Sequence, residues 1–414
     1  MHVLGRETER FGDRAEGSGV RGTEGDPARD GALRLGSFLA RDGSTGASVG
    51  LDADGPHAGV VVGKRGTGKS YTLGVVAEGL TDAPGVTPVV IDPMGVFAGL
   101  EAAGGRVVEP VVRPSSVPPS VWPELVGLDP SGSAGSLLWR VVADVVDATD
   151  SDGHATDAAG SDGHAADGVG GDERDEPSIE TFRDAVADAD ASDDARRAAE
   201  NHLSLARSWG VFDADAPPVT ALLGDGTPAV VDLAGVPERA SAAVVRTVAR
   251  GLYDARIAEA VDRLPWLLID EAHAFFGGVA DSALRTLLTR GRAPGVSLVC
   301  ATQRPGVLPP VAISQSDLLV AHRLTAERDV DRLSEAEATY LAGDLASRLP
   351  DGTGEALVVD DATEEAHTVR VRERRTPHDG GSPSASETDA ARTAAETDGM
   401  EPAQRRSEPP NASR

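Results

Sequence analysis

Short apolar runs alternate along the chain with stretches in which apolar residues recur every three or four positions. The runs are rich in β-branched residues, as is typical of buried strands. Six runs have this character: residues 60–62, 88–91, 229–232, 266–269, 296–302 and 318–322. Helical spacing separates several of them, for example at Val244, Val248 and Leu252. This alternation predicts an α/β fold with a mostly parallel sheet flanked by helices.

Two stretches add smaller elements to this alternation. Residues 355–359 and 368–371 flank a polar turn, which predicts a C-terminal hairpin that closes the domain. Residues 179–209 have helical spacing and follow an acidic segment. They predict a small helical subdomain beside the sheet, at residues 178–210.

Three segments lack periodicity: residues 1–30, 147–177 and 379–414. The middle one repeats Ser-Asp-Gly-His-Ala and, from Asp147 to Glu176, holds ten acidic residues against one arginine. Such a segment buries too little apolar surface to offset its ordering entropy. We predict one folded domain at residues 31–378 that contains an acidic low-complexity insertion at residues 147–177. Disordered segments would flank the domain at residues 1–30 and 379–414. Metal capture by the repeated histidines is the alternative interpretation of the insertion.

The composition favours a cytoplasmic protein that is not inserted in a membrane. Hydrophobic residues make up 40% of the 414 positions, enough for a core, and no run is long enough to span a bilayer. The first 30 residues are polar and unlike a signal peptide. The single cysteine, Cys300, fits a reducing compartment, and its apolar neighbours predict a buried side chain rather than a reactive thiol.

The formal net charge of −28 would ordinarily argue against a nucleic-acid partner. The acidic excess, however, accompanies near-complete avoidance of lysine, since Lys64 and Lys69 are the only two in the sequence. This combination resembles halophilic proteins, whose surface charge is screened by molar salt. Codon bias in a GC-rich genome is an alternative cause of the lysine avoidance. Net charge is therefore a poor guide to the partners of this chain.

Both lysines lie in a segment that fits the phosphate-loop pattern G-x-x-x-x-G-K-[ST]. A β-branched run precedes the segment and helical spacing follows it, so the helix N-terminus would point its free N–H groups at phosphates. Lys69 would bridge the β- and γ-phosphates of ATP, and the Ser70 hydroxyl would bind Mg²⁺. The predicted nucleotide-binding residues are Gly63, Arg65, Gly66, Thr67, Gly68, Lys69, Ser70 and Tyr71.

A second set of candidate residues follows later strands. Asp270 and Glu271 come directly after the apolar run 266–269, where Asp270 would reach the water shell of the Mg²⁺ ion and Glu271 would polarise the attacking water. An acidic turn after a buried strand is the simpler alternative. Gln303, at the end of the next run, would sense the γ-phosphate. Three arginines lie near strand ends: Arg290, Arg292 and Arg323. They could act as arginine fingers that complete the site of a neighbouring subunit, or they could be ordinary surface charges.

Together these motifs resemble the HerA/FtsK superfamily, nearest its HerA branch. The similarity covers roughly residues 32–378 and includes the phosphate loop, Asp92-Pro93-Met94-Gly95, Asp232-Leu233-Ala234-Gly235, Asp270–Phe275 and Thr302–Pro305. The resemblance implies a RecA-like P-loop ATPase that forms a hexameric ring and pumps double-stranded DNA. It also implies that Asp270 and Glu271 form the Walker B pair and that Gln303 is the sensor.

The chain departs from the family pattern in three respects. Few residues precede the phosphate loop, so we expect the family's N-terminal β-barrel to be absent or reduced to a strand or two. Val96 stands where the family commonly has an acidic residue, and no membrane anchor is expected.

Two functions are consistent with the sequence. The first is an ATP-driven DNA translocase or helicase-like motor, with double-stranded DNA, further copies of the chain and a nuclease as candidate partners. The second is a nucleotide-dependent switch or scaffold that binds ATP without pumping DNA. Glu271 favours turnover, whereas the short N-terminal region and the lack of an obvious basic strip favour the switch.

Overall fold

The computed structural model describes residues 1–6, 31–157, 176–336 and 345–378. Within them, twelve strands form one sheet in the order β1-β3-β2-β12-β11-β10-β4-β9-β8-β5-β7-β6. The strands are β1 His2–Leu4, β2 Ala32–Leu39, β3 Thr45–Asp52, β4 Ala58–Val62, β5 Val86–Asp92, β6 Arg106–Val108, β7 Ala229–Asp232, β8 Leu264–Ile269, β9 Ser297–Thr302, β10 Leu318–Ala321, β11 Glu355–Asp360 and β12 Glu365–Val371. The seven strands from β10 to β6 are mutually parallel.

Helices cover both faces of this sheet. The α-helices are α1 Lys69–Thr81, α2 Trp122–Val126, α3 Ser133–Asp157, α4 Ile179–Asp188, α5 Asp193–Ser208, α6 Glu238–Ile257, α7 Asp281–Arg290, α8 Pro310–Ser314, α9 Glu327–Ala336 and α10 Leu345–Arg348. Short 3₁₀ turns lie at Ala98–Ala103, Pro114–Ser116, Pro119–Val121, Val219–Leu222, Ala272–Ala274 and Pro305–Val307. No helix in the described ranges is long and apolar enough to cross a bilayer.

The central strands are continuous apolar runs because helices bury them on both faces. On β4, Val60 and Val62 pack into the core shared with α6 and α7, while Val61 packs into the core shared with α1. Because successive side chains of a strand point to opposite faces of the sheet, the residues of each apolar run alternate between the two cores. The predicted mostly parallel sheet with flanking helices is confirmed, as is the C-terminal hairpin of β11 and β12, which pair antiparallel.

A third core lies in a helical unit formed by α2, α3, α4 and α5. Trp122, Phe182 and Leu203 are fully buried there. The Ser178 side chain caps α4 by accepting a hydrogen bond from the Thr181 N–H. Two helices therefore occupy the stretch in which sequence spacing predicted a helical subdomain.

The prediction that residues 147–177 lack regular structure is wrong at the amino end of that stretch. Helix α3 continues to Asp157, because its earlier turns are buried in the third core and extending a formed helix needs little further ordering. Residues 158–175 lie outside the described residues, as do 7–30 and 379–414, so the remaining predictions of disorder stay predictions.

The first residues of the chain also differ from the expectation of an unstructured segment. Strand β1 pairs in parallel with β3, and Leu4 is fully buried. The Gly5 N–H donates to Asp360 Oδ2 at 2.9 Å, which ties β1 to the end of β11. The rings of His2 on β1 and His367 on β12 lie 5.3 Å apart although two strands separate β1 from β12 in the sheet order. Three strands therefore precede β4, the strand that leads into the phosphate loop, and this end of the sheet curls over.

Candidate active site

The phosphate-loop segment connects the end of β4 to the start of α1. Gly66 and Gly68 have φ angles of 77° and 117°, which L side chains rarely adopt. A Cβ atom on Gly63 would lie 2.6 Å from Thr67 Oγ1 and 2.7 Å from His322 Cβ. The glycines are therefore required by backbone conformation and by close packing beneath the loop.

The Lys69 ammonium lies within the loop, and the side chain is buried. Its Nζ donates to the Lys64 carbonyl at 3.2 Å, and the Thr67 hydroxyl donates to the same oxygen at 2.7 Å. Burial lowers the pKa of Lys69, while the nearby carboxylates of Glu271 and Asp270 act in the opposite direction. In contrast, Lys64 is exposed, as is Arg65. The buried lysine thus lies close to the two carboxylates that follow β8.

A short hydrogen bond joins the start of α1 to the end of β8. Ser70 Oγ donates to Asp270 Oδ2 at 2.6 Å, and the Glu271 N–H donates to Asp270 Oδ1 at 2.9 Å. Burial raises the pKa of Asp270, which is 1% exposed; the Glu271 charge adds to this, and the Ser70 hydrogen bond opposes it. The structure therefore brings together residues 200 positions apart that the sequence predicted to share a site.

Glu271 is strained and incompletely paired. Its φ of 45° is left-handed, a conformation that is unfavourable for a non-glycine residue by about 1–2 kcal/mol. Its Oε2 is buried and has no hydrogen-bond partner among the described residues, although His273 Nδ1 lies 3.3 Å away. Burial lowers the pKa of His273, and the positive charge of Arg304 lowers it further, so the imidazole is held toward its neutral form. Such strain is common at functional sites.

Gln303 follows β9, whose last residue, Thr302, is level with Val62 of β4. Its side chain is half-buried and lines a cavity of about 990 Å³ together with Arg304 and Arg328. The Thr302 hydroxyl accepts a hydrogen bond from the Arg304 N–H at 3.0 Å. Gln303 thus lies at the carboxyl edge of the sheet, on the strand between the phosphate-loop strand and the Asp270 strand.

The candidate arginines lie in different places. Arg323 follows β10, and its carbonyl accepts a hydrogen bond from the Lys64 N–H at 2.9 Å, so it borders the phosphate loop with an exposed side chain. Arg292 precedes β9 and pairs with Asp317 at 3.1 Å, at the opposite, amino edge of the sheet. Arg290 is the last residue of α7 and is exposed. The structure therefore brings Arg323 to the site but not Arg292.

His322 lies beneath the phosphate loop, and sequence reasoning treated it only as the end of a strand. Its Nδ1 is 2.8 Å from the Glu355 carbonyl, which can only accept, so Nδ1 carries the proton. Its Nε2 then accepts from the Thr72 hydroxyl at 2.9 Å. Burial lowers the pKa of His322 to about 4. A neutral histidine therefore links α1 to β11 under the loop.

The segment after β12, which we call the C-terminal strap (residues 372–378), packs against α1. Glu78 of α1 is fully buried and accepts hydrogen bonds from Arg372 Nη1 at 2.8 Å and from the Thr376 hydroxyl at 2.6 Å. The Tyr71 hydroxyl accepts from the Arg374 N–H at 2.6 Å. The hydroxyl of Tyr71, a predicted nucleotide-binding residue, thus contacts the strap. The sequence motifs did not indicate this contact.

Comparison with known proteins agrees with this arrangement. Residues 33–252 match the family model described as the central domain of helicase HerA. The fold is similar to that of VirB4 of Thermoanaerobacter pseudethanolicus, with a TM-score of 0.63 and 16% identity over 86% of this chain and 99% of that chain. The bacterial conjugative coupling protein TrwBdeltaN70 has a TM-score of 0.55 and 16% identity over 87% and 98% of the two chains. No curated protein matches the sequence. At these identities the structural likeness shows the fold, which is that of RecA-like P-loop NTPases.

Proposed function

The chain belongs to the family of the helicase HerA central domain, whose members are P-loop ATPases, and on that premise we propose that it hydrolyses ATP with Mg²⁺ and drives DNA movement. The observation that carries the proposal is the 2.6 Å contact between Ser70 Oγ and Asp270 Oδ2, beside the strained and incompletely paired Glu271. A scaffold that only binds a nucleotide needs the Ser70–Asp270 contact, but it gains nothing from a strained and incompletely paired Glu271.

The residues present fit a magnesium ion. Mg²⁺ prefers oxygen ligands and is commonly held through a hydroxyl and a carboxylate next to substrate phosphates. Ser70 and Asp270 supply these two oxygen groups, and burial leaves Asp270 with few competing partners. When bound, the ion would neutralise charge on the phosphate oxygens.

The other residues take roles that follow from their positions. The glycine-rich loop offers backbone N–H groups to the phosphates, and Lys69 adds a positive charge next to them. Glu271 accepts the proton of the attacking water through its incompletely paired oxygen, and Gln303 orients that water from the neighbouring strand. Arg65 and Thr67 belong to the loop itself, Arg65 at its exposed surface.

We further propose a homo-oligomeric ring, a hexamer by family resemblance, acting on double-stranded DNA. Arg323 is the stronger candidate for an arginine finger because it borders the phosphate loop with its side chain exposed. Arg292 stays a prediction that depends on how a neighbouring subunit docks against the amino edge. A nuclease partner also stays a prediction.

Steady-state ATP hydrolysis in molar KCl, with and without duplex DNA, tests the proposal. We expect Mg²⁺-dependent hydrolysis that duplex DNA stimulates, and no hydrolysis by the Lys69→Ala variant. ATP binding without hydrolysis would instead support a switch or scaffold. Hydrolysis that duplex DNA leaves unchanged would refute the DNA motor while retaining the ATPase.

Assembly is tested by mass measurement in molar KCl with ATP, followed by mixing of inactive variants. Arg323→Ala protein should bind ATP without hydrolysing it. Adding Glu271→Gln protein should then restore partial activity, because some interfaces would pair an intact arginine with an intact Glu271. A monomer that hydrolyses ATP at the full rate would refute the ring.

A further inference from the structure

Three metal-ligating side chains meet at the curled end of the sheet, outside the candidate active site. They are His2 on β1 and Glu365 and His367 on β12. The His367 Nε2 and Glu365 Oε2 atoms are 2.9 Å apart, and His2 Nε2 lies 3.7 Å from the same oxygen. One ligand atom from each residue falls within 4.8 Å of the other two.

The donor set and its spacing match a zinc site. Zn²⁺ binds imidazole nitrogen and carboxylate oxygen at about 2.0–2.2 Å, so ligand atoms in a tetrahedral site lie roughly 3.4 Å from one another. The observed 2.9 and 3.7 Å distances bracket that value. Two imidazoles and one carboxylate leave a fourth position for water, as in three-ligand zinc sites.

The surrounding structure holds the three side chains in place. The Phe38 ring lies 5.4 Å from the His2 ring and 4.9 Å from the His367 ring, which limits rotation of both imidazoles. Asp360 accepts hydrogen bonds from the Gly5 N–H and, in the β11–β12 turn, from the Thr363 hydroxyl. The two strands that carry the ligands are thus joined by contacts that do not involve the ligands themselves.

One atom in the cluster lacks a partner that an ion would supply. His2 Nε2 is buried and makes no hydrogen bond within the described ranges, although the rest of the ring is partly exposed. Buried polar atoms without a partner are rare in folded proteins, and each calls for an explanation. Glu365 Oε2 is too distant from this nitrogen for a hydrogen bond, but at 3.7 Å both atoms can reach a common ion.

We propose that His2, Glu365 and His367 bind one Zn²⁺ ion, which cross-links β1 to the C-terminal hairpin. The ligands are His2 Nε2, His367 Nε2 and Glu365 Oε2, with water in the fourth position. The ion would fix the first strand to the hairpin, and the second strand of that hairpin leads into the C-terminal strap.

The test measures zinc binding by nucleotide-free, full-length protein in a background in which the repeated histidines are replaced, His154→Gln and His164→Gln. Calorimetric titration should show one Zn²⁺ per chain that is lost, or bound at least tenfold more weakly, in His367→Gln and Glu365→Gln. Co²⁺ in place of zinc should give the visible absorption of a tetrahedral site in the parent and not in these variants. The matched control is Glu364→Gln, since Glu364 is the exposed neighbour of Glu365 and lies outside the cluster.

A stability measurement separates loss of the site from loss of the fold. Added Zn²⁺ should raise the melting temperature of the parent and of Glu364→Gln but not of His367→Gln, while the metal-free melting temperatures of all three stay close together. Equal zinc affinity in the parent and in Glu365→Gln, or no binding by the parent, would overturn the proposal and leave an ordinary glutamate–histidine pair. Neither result bears on ATP hydrolysis.

Discussion

The Glu78→Gln substitution removes the charge at the centre of the contacts between α1 and the C-terminal strap while keeping the size of the side chain. Glu78 Oε1 accepts from the Thr376 hydroxyl and from the N–H groups of Thr376 and Arg375. Its Oε2 accepts from Arg372 Nη1 at 2.8 Å and from the Arg375 N–H at 3.1 Å. Every one of these partners donates, so an amide NH₂ at either position faces donors.

The expected loss of stability follows from these contacts. With the amide oxygen in the Oε1 position, the NH₂ group would meet Arg372 Nη1 and the Arg375 N–H. The hydrogen bond from Arg372 would be lost, the Arg375 N–H would keep only its bond to the Oε1 position, and the remaining bonds would no longer have a charged acceptor. Hydrogen bonds to a charged acceptor contribute about 1.5–3 kcal/mol each, and local rearrangement recovers part of the loss. We expect the free energy of unfolding to fall by about 3 kcal/mol.

The pH dependence of stability gives an independent check. Burial alone would raise the pKa of Glu78, but the hydrogen bonds from Thr376, Arg375 and Arg372 outweigh it and hold the pKa below its ordinary value. Because the folded-state pKa is depressed, the stabilisation is complete above the unfolded-state pKa of about 4.3 and is lost as the pH falls through the folded-state value. Glu78→Gln should remove this component of the acid destabilisation.

The assay is urea unfolding in molar KCl, with Asp82→Asn as the matched control. Asp82 directly follows the last residue of α1 and binds the same Arg375 at 2.7 Å, but both side chains are about half exposed. Surface pairs of this kind contribute about 0–1 kcal/mol. If Glu78→Gln destabilised the protein no more than Asp82→Asn, the strap would not depend on the buried carboxylate and the reasoning would be refuted.

Three further predictions concern the candidate active site. Lys69→Ala should abolish ATP binding as measured by calorimetry, whereas Lys64→Arg, at an exposed position, should bind ATP like the parent. Glu271→Gln should bind ATP with unchanged affinity while hydrolysis falls by about 10²–10⁴-fold; a parallel loss of affinity would assign it a structural role. For His322, with a folded-state pKa of about 4 against about 6.5 unfolded, stability should fall by about 3 kcal/mol as the pH drops from 6.5 to 4. His322→Gln should unfold without this pH dependence, and an unchanged slope would contradict the buried neutral histidine.

The central strands were predictable because burial on both faces leaves a continuous apolar run. Strands β1, β2 and β3 were not, because one side of this end of the sheet is partly open. The first three residues of β3, for example, are exposed and polar or small. Such a strand lacks the apolar density that a run-based prediction needs.

The site residues divide in the same way. Gly63–Ser70 and Asp270–Glu271 are local motifs whose chemistry is visible in a few adjacent residues. Glu78 and His322 gain their significance from partners 298 and 250 positions away, so no local pattern points to them. The location of Arg292 at the amino edge of the sheet, by contrast, could have been predicted from its position in the sequence. This residue precedes its strand, whereas Asp270 follows one, and parallel strands place these positions at opposite edges of the sheet.

The C-terminal strap has a consequence for how the protein is made. Thr376 is 298 residues downstream of Glu78, so a ribosome adding about 5–20 residues per second reaches it roughly 15–60 s later. Throughout that interval the carboxylate that will be buried on α1 has none of its final partners and stays hydrated. The helix behind the phosphate loop can therefore reach its final packing only when the domain is nearly complete on the ribosome. A nascent chain interrupted before the strap carries the whole nucleotide-binding motif in a helix that is not yet fixed in place.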